Sequence, residues 1–274
     1  MKLRKNALFL IILLVIIIYL LYPFLAFFLD RKDFNLDEQT AIFIGGGGNS
    51  LLFLGEEFPL LFDTKAGFFA SSFARKIQAL TASKKIVLVN SHFHGDHTGA
   101  NYLFKDSRII AGQYPAGFWE KQNGKEGIPG EFLQKTLILI NGKEKIHLIP
   151  VGQAHSFADL VAYFPARKLL TTGDIFFHKI HPVFQNYAGT NVQKWIAALD
   201  KLAKELKFDK VLPGHGQMAS RQNLLEFKNY LLDLQMTAKG DMPFKVLHDK
   251  YAEWQNVPYL SSLNKNLNYV RNNQ

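Results

Sequence analysis

Apolar positions along this chain first form one long run and then break into short strings. Ala7 to Leu29 holds 23 residues without a charge and follows Lys2, Arg4 and Lys5. A membrane-spanning helix needs roughly 20 such residues, whereas the apolar part of a cleavable signal is only about 7–15 long and ends at a small-x-small site. The nearest such site, around Ala26, is flanked by bulky Leu25 and Phe27. Residues 1–29 are therefore expected to form a cytoplasmic tip and an uncleaved transmembrane signal anchor. Cations ahead of the run stay in the cytoplasm, which places the body on the periplasmic or exterior side of the inner membrane. Pro23 lies near the exit of the run, where a kink or stop is tolerated.

Residues 30–36 are short and charged, and are expected to be a linker. From residue 37 the pattern changes. Ala41 to Gly55 predicts two strands about a glycine turn, and Pro59 to Thr64 a third. Gly45 to Gly48 lacks the Lys-Ser/Thr of a phosphate loop and does not open a helix, so the turn is the reading. Helical spacing runs from Ser72 to Thr81, a buried strand from Lys85 to Val89, and a helix from Gly99 to about Lys105. Gln113 to Gly130, with scattered Gly and Pro, reads as irregular. Strands follow at 136–140, 145–149, 160–164, 169–172 and 210–212, with an amphipathic helix at 192–206 and helical pattern from Arg221 onward. One domain over 37–240 with a helical tail over 241–274 accounts for this order. Two strand-rich halves, each with helices, indicate a layered α/β fold.

Composition removes several function classes. With 48% hydrophobic, 14% aromatic and 20% charged residues, the chain has the apolar material for a core and is not disordered. The absence of cysteine excludes disulfides, thiolate zinc ligands, a thiol nucleophile and a lipid-anchored cysteine. A net charge of +9 reads as solubility charge. No long basic arm is visible, so no nucleic-acid partner is expected.

The chemistry concentrates in Asn90-Ser-His-Phe-His-Gly-Asp-His-Thr-Gly, where His92, His94, Asp96 and His97 fall within six residues at a strand end. Imidazole and carboxylate suit zinc and other borderline first-row metals. An extended segment puts His92 and His94 on one face, and the turn at Gly95 swings Asp96 and His97 toward a second position. Three further candidates sit where strands give way to loops: His155 in Gln-Ala-His-Ser, Asp174 in Thr-Gly-Asp-Ile-Phe-Phe, and His215 in Pro-Gly-His-Gly. Asp63 and Thr64, ending an early strand, are candidate acceptors for the outer N–H of a ligand imidazole. His178, His181, Asn186 and Tyr187 fall on a loop expected to border the site, and His147 and His248 read as structural.

The sequence H-x-H-x-D-H, a later His before a strand, T-G-D and P-G-H-G resembles the metallo-β-lactamase superfamily from about residue 37 to 240. The resemblance implies an αββα sandwich with metals at one edge. It implies that His92, His94 and His155 hold one zinc, that Asp96, His97 and His215 hold a second, and that Asp174 bridges them. Ala154 and Ala158 stand where many members carry glycine.

Two cations about 3.5–4 Å apart lower the pKa of a bridging water and polarise the group it attacks; Asp174 lies between them in this scheme, and Asp96 is placed to take a proton. The expected activity is a dinuclear zinc hydrolase acting on an ester, thioester, lactone or related small electrophile with a bridging hydroxide. A β-lactam hydrolase and a membrane-tethered non-catalytic metal-binding protein are the alternatives. Well-known lactamases of this fold carry Cys or Ser where this chain has Asp174. The 59 residues after His215 are short for the helical domain of glyoxalase II. A mononuclear iron dioxygenase uses an overlapping ligand set, which metal analysis separates.

Overall fold

The computed structural model describes residues 2–82 and 85–273, apart from the side chains of 2–9, 24, 25, 27 and 28. In chain order the elements are α1 (Lys2–Leu29), β1 (Lys32–Asn35), β2 (Thr40–Ile44), β3 (Ser50–Leu54), β4 (Pro59–Phe62), α2 (Ala70–Leu80), β5 (Val87–Val89), α3 (Gly95–Thr98), β6 (Arg108–Gly112), α4 (Phe118–Asn123) and β7 (Glu131–Leu133). The second half follows with β8 (Leu137–Asn141), β9 (Glu144–Gly152), β10 (Asp159–Phe164), β11 (Leu169–Thr171), α5 (Val192–Glu205), β12 (Lys210–Leu212), β13 (Ala219–Ser220), α6 (Arg221–Lys239), α7 (Phe244–Tyr251) and α8 (Leu263–Asn272).

The first sheet runs β1 to β7 in sequence order, antiparallel through β4 and parallel from β4 to β7. The second has the order β13-β12-β11-β10-β9-β8, with β11 and β12 parallel. Most central strands are apolar throughout because both faces are covered. Ile42, Leu51, Phe53, Leu60, Phe62, Val87 and Val89 point inward against Leu148, Leu160, Ala162 and Phe164 of the other sheet. The alternate residues Phe43, Leu52, Leu61 and Leu88 point outward and pack on Phe73, Ala74 and Ile77 of α2. On the far side Val161, Tyr163, Leu170 and Val211 pack on Trp195, Leu199, Phe227 and Tyr230 of α5 and α6. The result is a four-layer αββα sandwich.

Four expectations need correction. Residues 32–35 are not a free linker: β1 pairs antiparallel with β2, Lys32 opposite Ile44. Its charges suit an edge strand, while Phe34 packs against the core. The helix expected at 99–105 is displaced, with α3 starting at Gly95 and a 3-10 turn over Asn101–Phe104. The stretch 113–130 contains α4, and β6 and β7 extend the first sheet. The tail is part of the body, since Leu247, Tyr251, Trp254, Leu263, Leu267 and Val270 share a core with Trp195.

The N-terminal run is helical, and α1 continues through Pro23. Among the described residues no helix is long and apolar enough to cross a membrane. The side chains of Ala7, Leu8, Phe9, Phe24, Leu25, Phe27 and Phe28 lie outside the described residues, and the expected span has no support in the structure.

Candidate active site

The loops that follow β4, β5, β9, β11 and β12 all open at one edge of the sandwich. They bring the seven candidate residues into two groups: His92, His94, His155 and Asp174, and then Asp96, His97 and His215. In each group the candidate ligand atoms lie within 4.8 Å of one another. Asp174 spans the two. Its Oδ2 lies 3.6 Å from His92 Nε2 and 3.3 Å from His155 Nε2, and its Oδ1 lies 3.0 Å from His97 Nε2 and 3.4 Å from His215 Nε2. Asp96 Oδ2 lies 3.2 Å from His215 Nε2. His92, His97, His155 and Asp174 are buried, whereas the Asp96 side chain is 26% exposed and marks the open side.

Buried hydrogen bonds fix which ring nitrogens face inward. Asp63 accepts the Ser91 N–H on Oδ1 at 2.7 Å and the Ser91 hydroxyl on Oδ2 at 2.7 Å. The Ser91 hydroxyl proton is thereby used, so its oxygen accepts from His92 Nδ1 at 2.9 Å, which leaves the Nε2 lone pair directed into the site. His97 Nδ1 likewise donates to Asp63 Oδ2 at 2.8 Å. Thr64 takes a different part: its N–H and hydroxyl donate to the His97 carbonyl.

The donor set fits metal ions. His94 Nδ1 lies 2.8 Å from His92 Nε2 and 3.1 Å from His155 Nε2. Because His92 Nε2 carries no proton, His94 Nδ1 must donate to it, and that single proton cannot also be aimed at His155 Nε2. A cation with open coordination satisfies all three. The carboxylates make the same demand. Burial works against charge on every one of these groups, yet His97 and His215 hold Asp174 well below, and Asp96 below, the usual carboxylate range. Burial would lower His97 and His215, yet Asp174 and Asp96 hold His97 well above its usual range and His215 up to about 9. His155 goes the other way, pushed down to about 3 mainly by burial, and so offers a neutral ligand.

Several supporting residues escaped the sequence reading. Gly48, in the turn between β2 and β3, has the His97 ring so close that a Cβ would fall 2.2–2.5 Å from it. Asn49 staples that turn to the His215 loop: its Nδ2 donates to the Pro213 and Gly216 carbonyls at 3.0 and 2.8 Å, and its Oδ1 accepts the Gly45 N–H. Lys65 is buried beneath the turn and donates to the Phe43 and Gly48 carbonyls at 2.8 and 2.5 Å. Phe93 has its ring centroid 4.3 Å from that of His94 and continues through Phe118 to Phe157 as an aromatic wall. The only sequence signal for these was the glycine run itself.

The bordering loop divides. His178 lies in a cleft with His215, held by Gln217 O at 3.0 Å. His181 turns away, buried against Tyr230 at 3.0 Å and pushed down to about 4 by burial. Tyr187 is 56% exposed, 6.3 Å from Phe93 between ring centroids. His147 lies in β9 and His248 in α7, away from both groups.

The model of the metallo-β-lactamase superfamily matches residues 44–215, a span that includes all seven residues. The chain belongs to this superfamily. Its two His/Asp groups have the residue types and spacing that could hold metal ions. Among solved structures it is similar to the inverting sec-alkylsulfatase Pisa1 from Pseudomonas sp., with a TM-score of 0.71 and 14% identity over 89% of this chain. The chain spans 50% of that protein's length. It is also similar to a metallo-β-lactamase from Pontibacter korlensis, with a TM-score of 0.62 and 16% identity, covering 74% of this chain and 99% of that one. These likenesses concern the fold. No curated protein matches the chain in sequence.

Proposed function

We propose that the protein is a dinuclear zinc hydrolase of esters, thioesters, lactones or related small electrophiles. The observation that carries this reading is the position of Asp174, with one carboxylate oxygen toward each ligand group. His92, His94 and His155 would hold one ion, Asp96, His97 and His215 the other, with Asp174 shared. When bound, such a pair of ions supplies an activated water and polarises the carbonyl it attacks. The protein's own part is orientation: Asp63 and Ser91 hold the His97 and His92 rings with the correct nitrogens inward. Asp96, on the exposed side, can receive a proton at Oδ and pass it to solvent. The Phe93 wall gives the site an apolar border beside His94.

The anchor belongs to the same proposal. The uncharged run Ala7–Leu29 follows three cations, and Leu10 to Tyr22 of α1 expose 41–77% of their surface, an apolar surface that lipid would cover on the sides turned away from Tyr259. The body would then face the periplasm or exterior from the inner membrane.

Elemental analysis of the purified full chain should give two zinc ions per chain. A panel of chromogenic esters, thioesters, lactones, phosphodiesters, an alkyl sulfate and a cephalosporin, run with added zinc, should show turnover on the acyl substrates. A single iron with oxygen consumption, or no turnover on any member, overturns the reading. The protein should sediment with membranes at full length; a shortened soluble form overturns the anchor.

A further inference from the structure

Two adjoining cavities connect the metal-ligand edge with α1. The first is a cleft of about 820 Å³ with His215, Asn49 and His178 on one side, Trp254 and Pro258 on another, and Pro23 and Ala26 of α1 closing it. The second, about 590 Å³, is lined by Val15, Ile18, Tyr19, Tyr22 and Pro23 of α1 and by Tyr259. Pro23 belongs to both walls. The Tyr259 hydroxyl donates to the Leu20 carbonyl, which ties the loop after α7 to the middle of the helix. Tyr259 and Leu260 are themselves 59% and 48% exposed.

The two cavities differ in chemistry. The cleft offers charged and amide groups, among them Asp30, Lys179 and Gln217. The groove has no charged residue in its lining; its only polar side-chain atoms are tyrosine hydroxyls. Such a lining cannot repay the desolvation of a charged ligand group, but it gains from each methylene it covers. Its continuity with the cleft makes it part of the same binding surface.

We propose that the substrate is an amphiphile with one linear alkyl chain: the chain lies in the groove between α1 and Tyr259, and the scissile group lies in the cleft beside His215, the candidate ligand that lines it. This rests on the hydrolase reading above. For an ester, the acyl C–O bond breaks, the oxygen of water joins the acyl carbon, and a proton from water leaves with the alcohol, so water is the only co-reactant.

The test uses the full chain in lipid nanodiscs with zinc and a series of p-nitrophenyl esters from acetate to decanoate. At about 0.8 kcal/mol per buried methylene, kcat/KM should rise up to about fourfold per carbon beyond the shortest members. Longer esters also partition into lipid, so the deciding comparison is between two variants in the same discs. Ile18→Asn, in the groove, should lower the decanoate-to-acetate ratio of kcat/KM at least tenfold, whereas Leu14→Asn, outside it, should leave the ratio unchanged. Equal ratios for both variants overturn the proposal. Turnover of acetate alone, with no chain-length effect, overturns it while leaving the hydrolase reading intact. A diazirine-bearing lauric acid reports without turnover. Labelling should concentrate on Ile18, Tyr22 and Tyr259; labelling spread evenly around α1 overturns the proposal whether or not any ester is cleaved.

Discussion

Replacing Lys65 with methionine should change how stability depends on pH, in a direction set by burial. Lys65 is 3% exposed, and burial pushes its ammonium down to about 7, against the pull of Asp33 and Asp63. An unfolded lysine titrates near 10.4. Below pH 7 both states hold the proton and the folded state buries a charge. Between about 7 and 10.4 the unfolded chain keeps a proton that the folded chain has released, so stability rises with pH. That drop from near 10.4 to about 7 corresponds to roughly 5 kcal/mol over the window. Lys65→Met removes the titration and leaves the Phe43 and Gly48 carbonyls without their donor, a cost of about 1–3 kcal/mol each at every pH. The two effects nearly offset at pH 6. By pH 10 the wild type should be the more stable by about 2–6 kcal/mol, approached at up to about 1.4 kcal/mol per pH unit. Urea unfolding of both proteins, followed by tryptophan fluorescence in the same chelator-containing buffers from pH 6 to 10, gives the difference curve, in which the remaining titrating groups cancel. A flat difference across that range would refute the burial argument.

Three further substitutions test the site. Asp63→Asn removes the anionic acceptor of His97 Nδ1 and of the Ser91 hydroxyl; zinc affinity, measured against a chromophoric chelator, should fall about 10–100-fold, and unchanged affinity would remove Asp63 from its orienting role. Gly48→Ala drives a methyl into the His97 ring, so one of the two metals should be lost and kcat/KM should fall at least about a hundredfold, by 2.7 kcal/mol or more; retention of both metals with normal turnover would contradict the packing. Asp174→Ala should weaken both groups at once, leaving less than one metal per chain and turnover reduced by orders of magnitude. Two retained metals with near-normal rate would end the bridging proposal.

The parts of this site that were legible in the sequence are those whose chemistry is carried by the letter itself. A histidine or aspartate at a strand end is unusual enough that its spacing carries information, and the loops after β5, β11 and β12 bring such residues together because those strands place their C-terminal ends at one edge. The layered fold was legible for a similar reason, since strings such as Ala41–Ile44 and Leu51–Leu54 are too short for helices and too apolar for one-sided strands. The edges of the first sheet were not. β1 is charged as an edge strand must be, and its Lys-Asp-Phe-Asn is indistinguishable from a linker until Phe34 is seen against the core. β6 was hidden because Arg108-Ile-Ile-Ala-Gly has too few positions to show a period.

The glycine run shows a deeper limit. Gly45, Gly46 and Gly47 adopt positive φ, the property a turn demands and the reason the run reads as one. Gly48 does not. It is glycine because His97, 49 positions further along, lies where a Cβ would be. Its carbonyl accepts from Lys65 and its N–H donates to the Asp96 carbonyl, so one residue joins the floor of the site to the backbone of a candidate ligand. A glycine chosen for its backbone angle and a glycine chosen for an absent side chain are the same letter. The first is a local property that four adjacent residues can announce. The second belongs to a contact between distant segments and becomes readable only when the fold has closed.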